Sequence, residues 1–267
     1  MIKHSYYGFT LVEMLVVITV ITSLGSLSFV GIRNAREKAR TVVEINAARN
    51  LIVAYLGHAA ENNGKLLPGY QIDSQATNLE GELLTDPMNA RYPWRLAKSV
   101  PSIQGVMLFN GTESVLKDEN RDYLVSVHPN LGLNATLIGG HFGGGSPLPP
   151  TPRLIEAYGK FYVSHLAEAE EPHKLIVFAS ARSAADRPGY FEIRPPNLTN
   201  KVWSAREFSR NGSAAAHGFV DFRWNGKAVV AMLGGNVEMH DEPALRDMRC
   251  WSNQAASANQ PDFMIGR

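Results

Sequence analysis

One acidic side chain interrupts a long apolar stretch near the N-terminus. Residues 9–32 read FTLVEMLVVITVITSLGSLSFVGI, and Glu13 is the one charged residue among them. A charged side chain in a membrane helix costs on the order of 3 kcal/mol even on lenient scales. A carboxylate in apolar surroundings is tolerated when a cation meets it, and the positive end of its own helix favours it as well. The sequence therefore predicts that a cationic group pairs with the Glu13 carboxylate.

The length of this apolar run leaves three interpretations. As a helix it would extend about 36 Å, which is enough to cross the hydrocarbon core of a membrane. A cleaved secretory signal has an apolar region of only about 7–15 residues and ends in an A-x-A-like site, and no such site follows directly here. An uncleaved membrane anchor fits the length but leaves Glu13 unexplained. The third interpretation rests on the residues around Gly8.

Residues 8–13, Gly-Phe-Thr-Leu-Val-Glu, resemble the site at which type IV prepilin peptidases cut. In that family the cut falls after the glycine, here Gly8, and the new N-terminal residue, here Phe9, is then methylated. Glu13 falls at the family's fifth mature position, where the carboxylate is thought to pair with the terminal amine of a neighbouring subunit. The resemblance implies a leader at residues 1–8, processing at Gly8 and Phe9, and assembly through Glu13.

The basic residues around the apolar run point to the opposite orientation from the one that the resemblance implies. Lys3 precedes the run, whereas Arg33, Arg36, Lys38 and Arg40 follow it. A positive-inside count would place the rest of the chain in the cytoplasm. Prepilin processing, however, takes place on the cytoplasmic side of the leader. The resemblance therefore implies a single-pass inner-membrane protein whose head is periplasmic or extracellular, in a pilus or pseudopilus.

A helical pattern continues through residues 33–60, which lack proline and are rich in alanine, arginine and glutamate. Apolar residues recur there at helical spacing, at Val43, Ala47, Leu51 and Ala54 with Ile45, Ala48, Ile52 and Leu56 beside them. The charged residues Arg36, Arg40, Glu44 and Arg49 are predicted to lie mostly away from this stripe. Asn62-Asn63-Gly64 is a stop signal. One long helix is predicted, with a transmembrane half at 9–32 and an amphipathic half at 33–60.

The remaining residues, 61–267, consist of short apolar runs separated by glycine, proline and asparagine, which is typical of strands and turns. Strands are predicted at 106–109, 123–127, 175–179, 190–193, 219–224, 228–233 and 237–239, and helices at 153–166 and 242–248. Asn225-Gly226 is a favoured two-residue hairpin turn. The predicted fold is α+β, a long N-terminal α-helix packed on a mainly antiparallel β-sheet head.

Two further stretches of the head resemble pilin-related families. Residues 86–92 (DPMNARY) resemble the Asp-Pro-Trp-Gly-Asn-Pro-Tyr turn of secretion-system pseudopilins, without its tryptophan and glycine. Residues 223–238 (RWNGKAVVAMLGGNVE) resemble the C-terminal motif of the prepilin-type processing-associated H-X9-DG group. Trp224 stands in the place of the histidine and Gly234 in that of the aspartate. Only the hairpin of that motif is therefore expected here.

One acidic segment has the ligand types of a calcium site. Asp118, Asn120 and Asp122 occupy positions one, three and five of a calcium loop, but Tyr123 stands where an EF-hand needs glycine and Pro129 where it needs glutamate. A looser calcium site at these three residues is one interpretation, and a solvated acidic turn is the other. No further cofactor is expected.

No catalytic motif stands out in the head. Six histidines are scattered without zinc-binding spacing, at positions 128, 141, 165, 173, 217 and 240. Ser180 and Ser183 lack the G-x-S-x-G pattern of a nucleophile elbow. Cys250 is either a reactive thiol or a small buried hydrophobe. The four tryptophans could bind sugars or partner subunits, although packing is their usual role. The sequence therefore predicts that the protein is not an enzyme.

The overall charge gives no reason to expect a nucleic-acid partner, because 26 basic side chains face 25 acidic ones. The resemblance implies a structural subunit of a pilus or pseudopilus, with the prepilin peptidase, other pilin or pseudopilin subunits and the inner membrane as partners. The alternative is a processed, membrane-anchored extracellular binding protein that does not polymerise. A membrane-anchored enzyme is the third hypothesis, and no motif supports it.

Overall fold

The computed structural model describes Gly8 and residues 10–266, except for the side chains of residues 25–30. The predicted leader up to residue 7 and the predicted methylation site Phe9 lie outside these residues. The chain divides into two units, residues 1–42 and residues 43–267.

The first helix, α1 (Leu11–Glu61), confirms the predicted long N-terminal helix. In the first unit, all of its side chains that the structure describes are exposed up to Arg40. Within the described residues, no helix combines the length and the apolar character that a membrane span requires.

In the second unit, α1 contributes its apolar face to the core of the head. The side chains buried there are Ala47, Ala48, Leu51, Ile52, Tyr55 and Ala59. Val43, predicted to belong to this face, is 42% exposed, whereas Glu44 is fully buried. The prediction that the charges lie away from the stripe is therefore wrong for Glu44.

The predicted stop signal after α1 is confirmed by its geometry. Gly64 has a φ of 85°, in the left-handed region that glycine adopts without a steric penalty. Its N–H donates to the carbonyl of Ala59 at 2.7 Å, which satisfies one of the last carbonyls of the helix.

Four strands form one antiparallel sheet in the order β1-β2-β3-β4. They are β1 (Leu131–Leu133), β2 (Ile176–Ser180), β3 (Lys227–Met232) and β4 (Val237–Asp241). The predicted α+β class is confirmed. The last three strands lie where the sequence predicts them, to within two residues at each end, and β1 was not predicted.

The predicted Asn225-Gly226 turn of the C-terminal hairpin is present, and a second turn follows β3. Asn225 and Gly226 have φ angles of 49° and 77°, and Trp224 and Lys227 exchange two N–H to carbonyl bonds of 3.0 Å across them. Both central residues of a type I′ turn require positive φ. At the second turn, which joins β3 to β4, the N–H of Gly235 donates to the carbonyl of Met232 at 2.9 Å.

The sheet is covered on both faces because successive residues of a strand point to opposite sides. In β3, Val229 and Ala231 belong to the same hydrophobic cluster as the buried face of α1. Ala228, Val230 and Met232 belong to a second cluster, which contains Trp203 and Trp251. Strands covered on both faces are continuous apolar runs, which is why β2 and β3 were recognised.

The short helices of the head are α2 (Tyr92–Leu96), α3 (Ile103–Val106), α4 (Arg121–Val127), α5 (Pro152–Tyr158), α6 (Glu242–Leu245) and α7 (Asn253–Ala258). The predicted strand at 123–127 is wrong, because this segment belongs to α4. The predicted helix at 153–166 ends early because the φ of Gly159 is 71°, and the predicted helix at 242–248 ends at Leu245.

Three other predicted strands are wrong. Residues 106–109 begin at the last residue of α3 and form no strand. Residues 190–193 and 219–224 make isolated bridges to β1 and to Ala181 without continuing as a ladder. Short apolar runs do not distinguish strands from other buried segments by their periodicity.

Two glycines give opposite expectations for replacement by alanine. At Gly139, where φ is 74°, a Cβ would lie 2.1 Å from the carbonyl oxygen of Leu67, so we expect Gly139→Ala to lower the free energy of unfolding by about 2 kcal/mol or more. Gly57 lies inside α1 with nothing within 4 Å of a Cβ, and Gly57→Ala should raise it by about 0.5–1 kcal/mol. Denaturant unfolding of both variants measures these changes in the free energy of unfolding. Changes of the same sign and size in the two variants would contradict the prediction.

Candidate functional site

The N-terminal end of α1 is organised by Thr10 and Glu13. The Glu13 Oε2 atom accepts hydrogen bonds from the Thr10 N–H at 2.8 Å and from the Thr10 hydroxyl at 2.7 Å. In return, the Glu13 N–H donates to Thr10 Oγ1 at 3.2 Å. This reciprocal arrangement is a capping box, which satisfies backbone donors that have no partner within the helix.

The capping box places a carboxylate next to the predicted processing site. The Thr10 nitrogen that Glu13 accepts from belongs to the residue directly after Phe9. Gly8 is exposed, and nothing lies within 4 Å of the position that a Cβ would take there. The Glu13 carboxylate thus contacts the residue that follows the predicted methylation site.

The three calcium candidates share one cavity but make other contacts. Together with Asn78 they line a space of about 620 Å³. Asp118 Oδ1 accepts from the Asn120 N–H at 2.8 Å, and Asp122 Oδ2 accepts from the Asn78 side chain at 2.9 Å. The Arg121 Nε lies 3.5 Å from Asp122 Oδ1, and a guanidinium there disfavours a second cation.

No group of three or more His, Cys, Asp or Glu side chains in the described part of the chain is arranged to hold a metal ion. Calcium at Asp118, Asn120 and Asp122 therefore stays a prediction.

The tryptophans and the cysteine have packing roles. Trp94, Trp203, Trp224 and Trp251 are all buried, so their rings are not open to sugars or partner subunits. Burial raises the pKa of the Cys250 thiol, and the Sγ atom lies 2.9 Å from the carbonyl oxygen of Asp247. A raised thiol pKa disfavours the reactive thiolate.

One serine and one histidine of the head are close together. The Ser183 hydroxyl lies 3.3 Å from His128 Nδ1, and the same nitrogen lies 3.4 Å from the carbonyl oxygen of Gly189. Burial lowers the pKa of His128, and the charges of Arg187 and Arg91 lower it further. A nucleophilic triad needs an acidic group that orients the histidine, whereas the charges near His128 are cationic.

Glu44 is a buried charge that the sequence-based prediction misplaced. Its Oε1 atom accepts a hydrogen bond from the Ser180 hydroxyl on β2, and its Oε2 atom lies 3.9 Å from Arg223 Nε. The same Nε lies 3.2 Å from Asp221 Oδ2. Burial raises the pKa of Glu44, and the positive charge of Arg223 opposes this. These contacts join α1 to the sheet within the second unit.

A signal for this burial is present in the sequence. Glu44 precedes Ala47 and Ala48 by three and four residues, and residues at this spacing share one face of a helix. Both alanines are buried. An acidic residue on the apolar face of a helix therefore indicates that its carboxylate is buried and bonded to a polar side chain, which here is Ser180.

A cluster of aromatic rings and arginines lies elsewhere in the head and was not predicted. We call Tyr70, Tyr123, Tyr190, Phe191 and Phe219, with Arg91 and Arg194, the ring cluster. Tyr190 stacks near Phe219, with 4.2 Å between ring centroids, and Arg194 lies 5.3 Å from the Phe219 centroid. Arg91 lies between Phe191 at 4.8 Å and Tyr123 at 5.3 Å.

A polar pair lies beneath the rings. Glu192 Oε1 accepts from Arg194 Nε at 3.0 Å, and His141 Nε2 lies 3.6 Å from Glu192 Oε2. The Tyr70 ring stacks on the His141 ring, with 4.9 Å between centroids. Burial lowers the pKa of His141 to about 4, so its imidazole is neutral near pH 7.

The described structure is thus an α+β head with a capped, apolar N-terminal helix. Residues 3–29 match the family model described as the prokaryotic N-terminal methylation motif. The match confirms the resemblance of the N-terminal segment to type IV pilin-like proteins. It does not extend to residues 86–92 or 223–238, whose resemblances stay predictions. No curated protein and no solved structure matches the chain.

The buried carboxylate predicts a specific pH dependence of stability. Burial raises the folded-state pKa of Glu44 above its ordinary value of 4.5, so its contribution is fully present below that value and is lost as pH rises through the folded-state pKa. Glu44→Gln keeps the shape but does not titrate. Measured by denaturant unfolding, the stability of the parent relative to Glu44→Gln should fall as pH rises above 4.5 and should level off above the folded-state pKa.

A second variant tests the contacts themselves. Glu44→Ala removes the acceptor of the Ser180 hydroxyl and one of the two carboxylates near Arg223 Nε, and we expect it to lower the free energy of unfolding by about 1–3 kcal/mol. For the pH prediction, a difference in the free energy of unfolding between the parent and Glu44→Gln that is the same at every pH would contradict the assignment of Glu44 as the titrating group.

Proposed function

We propose that this protein is a pilin-like or pseudopilin-like structural subunit. It is cleaved after Gly8, methylated at Phe9, and assembled through its N-terminal helix into a pilus or secretion pseudopilus. The observation that carries this proposal is the match of residues 3–29 to the N-terminal methylation motif. The glycine, the aromatic residue and the glutamate of that segment stand in register before an apolar run.

The surface of α1 in the first unit supports burial of this helix by other molecules. Apolar side chains are exposed all along its start, with Leu11 at 81%, Ile21 at 63% and Leu24 at 60%. Exposed apolar surface costs about 25 cal/mol per Å² relative to burial, and large patches mark membrane or protein contacts. We propose that the inner membrane covers this surface first and that neighbouring subunits cover it after assembly, with the head on the periplasmic or extracellular side.

Glu13 has a role before and after processing in this proposal. In the chain with its leader, the carboxylate caps α1 through Thr10. After cleavage, the amine at Phe9 is a cation in apolar surroundings, where a carboxylate stabilises it strongly. The Glu13 carboxylate of one subunit would then accept the terminal amine of its neighbour.

A processed binding protein that does not polymerise is the second candidate function. The half-exposed rings of the ring cluster favour it, because they lie on the head and have no part in processing. Neither candidate requires catalysis. The prepilin peptidase is the processing partner in both, and only the first requires other pilin or pseudopilin subunits.

The mature mass tests processing. Because cleavage falls after Gly8, we expect intact-mass spectrometry of the membrane fraction to give a chain that begins at N-methylated Phe9. Coexpression with an inactive prepilin peptidase should preserve the leader and serves as the control. A mature protein that still begins at Met1 would overturn the proposed processing.

Two substitutions of Glu13 separate its charge from its capping role. Glu13→Ala removes both, whereas Glu13→Gln keeps a capping side chain and removes only the charge. We expect both variants to be cleaved and neither to enter filaments, because the amine of the neighbour loses its counter-ion. Filament fractions analysed by immunoblotting measure this.

A matched control uses another glutamate of the same helix. Glu37 is exposed on α1 in the same unit, and Glu37→Ala should assemble like the parent. Normal incorporation of Glu13→Gln would show that capping alone accounts for the glutamate and would refute the proposed ion pair.

A further inference from the structure

Apolar side chains lie in solvent around the cavity of about 620 Å³ that the three calcium candidates line. The hairpin at residues 76–84 carries Leu79 and Leu83, which are 58% and 68% exposed. Asn78, next to Leu79, lines the cavity, and so does Tyr123, which is 44% exposed. Exposed apolar side chains gathered in one place mark a contact with another molecule.

The hairpin that carries these leucines is held by its own hydrogen bonds. Asn78 Oδ1 accepts from the Glu80 N–H at 3.1 Å and from the Glu82 N–H at 2.9 Å. The Asn78 N–H donates to the Glu82 carbonyl at 3.0 Å, and its side-chain amide donates to Asp122 on α4 at 2.9 Å. The leucines are therefore presented by an ordered segment, and a partner would not have to order it first.

The cavity also carries an excess of negative charge. Six charged side chains line it, and four of them are carboxylates, from Glu82, Asp118, Glu119 and Asp122. Of the two cations, Arg121 is already paired with Glu80. Among the described residues, no cation forms an ion pair with Glu82, Asp118 or Glu119. A complementary partner is both basic and apolar.

One exposed segment of this chain has that composition. Residues 32–42 of α1 (IRNAREKARTV) carry four basic side chains and one acidic one, a net charge of +3. Ile32 and Val42, at the ends of the segment, are 53% and 54% exposed. In the described part of the chain, the exposed side chains that form no ion pair include Arg33, Arg36 and Lys38.

The position of these basic residues has a cost in the proposed topology. They directly follow the apolar run, on the same side of the membrane as the head, and the positive-inside rule disfavours basic residues there. Sequences break such local rules mainly at functional sites. A contact with carboxylates of another subunit gives the basic residues a function that offsets this cost.

We propose that the acidic cavity of one subunit binds residues 32–42 of α1 of a second copy. The helix would lie against Leu79 and Leu83 and bring its basic side chains to the carboxylates, as amphipathic helices do in apolar grooves. A calcium ion would compensate the carboxylates but would leave the leucines exposed.

This inference rests on the proposed function and adds a second contact between subunits to the one at Glu13. The two surfaces that meet are different, so the contact is heterologous. Heterologous contacts build open filaments when the rotation between subunits does not close a ring.

Disulfide crosslinking in membranes tests the contact directly. Two differently tagged full chains are coexpressed in a Cys250→Ala background, one with Glu119→Cys and the other with Arg33→Cys, Arg36→Cys or Lys38→Cys. A disulfide requires Cα atoms within about 7 Å. We expect at least one of the three pairs to give a product that carries both tags, and the lack of product from all three would overturn the proposal.

Glu156→Cys is the matched control for Glu119→Cys. Glu156 is an exposed residue of α5, whose apolar side chains pack on the second hydrophobic cluster. Met88 and Leu116 of the cavity pack on the first cluster, which contains the buried face of α1. The control should give no product with the same three variants, and product equal to that of Glu119→Cys would refute the site.

Charge reversal tests the pairing of the two surfaces. One set changes Arg33, Arg36 and Lys38 to glutamate, and the other changes Glu82, Asp118 and Glu119 to lysine. Each set alone should lower the recovery of a differently tagged second copy from detergent extracts by about tenfold, because like charges then meet.

The chain that carries both charge-reversed sets should regain most of this recovery, which a misfolded head would not do. Glu156→Lys should behave like the parent. Parent-like recovery by either set alone, or no gain in the combined chain, would refute the charge pairing.

The two leucines test the apolar part of the surface. Because Leu79 and Leu83 are exposed, Leu79→Ser with Leu83→Ser should leave the thermal midpoint unchanged and lower the recovery of the second copy by about tenfold. Phe142→Ser, at another exposed ring, should lower neither. Parent-like recovery by the folded double variant would overturn the proposed docking surface.

Filament content of the parent, measured by immunoblotting in the same cells, tests the proposed function separately. A processed parent without filaments would contradict assembly, and the crosslinked product would still decide whether the two surfaces meet. Filaments from all charge-reversed and leucine variants at parent levels, without any crosslinked product, would leave assembly standing and refute this contact.

Discussion

The architecture of the head depends on covering both faces of a short four-stranded sheet. Helix α1 covers one face, and a cluster around Trp203 and Trp251 covers the other. At the α1 face the contact is not purely apolar, because Glu44 lies fully buried against Ser180 of β2 and near Arg223. A buried charge is tolerated only with suitable partners. This contact therefore fixes which residue of α1 faces Ser180, whereas apolar side chains could pack in several alignments.

The same helix carries a second carboxylate under a different constraint. Glu13 lies among exposed apolar side chains, and its hydrogen bonds are local, to Thr10. Glu13 and Glu44 of α1 thus differ in what they contact. Glu44 joins the helix to its own head, and we propose that Glu13 joins it to another subunit.

Sequence patterns predicted those elements that have a strong local signal, either a helical periodicity or a continuous apolar run beside a turn. Helix α1, strands β2, β3 and β4, and the Asn225-Gly226 turn were found because their signals are local. The segment at 123–127 was predicted as a strand and is helical. Its apolar residues fit either structure, and the contacts that decide, such as the bond from Trp94 Nε1 to the Asp122 carbonyl at 2.7 Å, come from distant parts of the chain. Strand β1 has only three residues, too few for a pattern.

The sequence by itself determined the match of the N-terminus to the methylation motif, because residues 3–29 form a linear pattern that does not depend on the fold of the head. It also determined the helix that follows, since helical hydrogen bonds join neighbours in sequence. Only the tertiary structure decided that Glu44 is buried, that the tryptophans are inaccessible, and that Arg91, Tyr190 and Phe219 meet in one cluster. Those residues come from separate segments, and their neighbours in space are set by how the chain packs around the sheet.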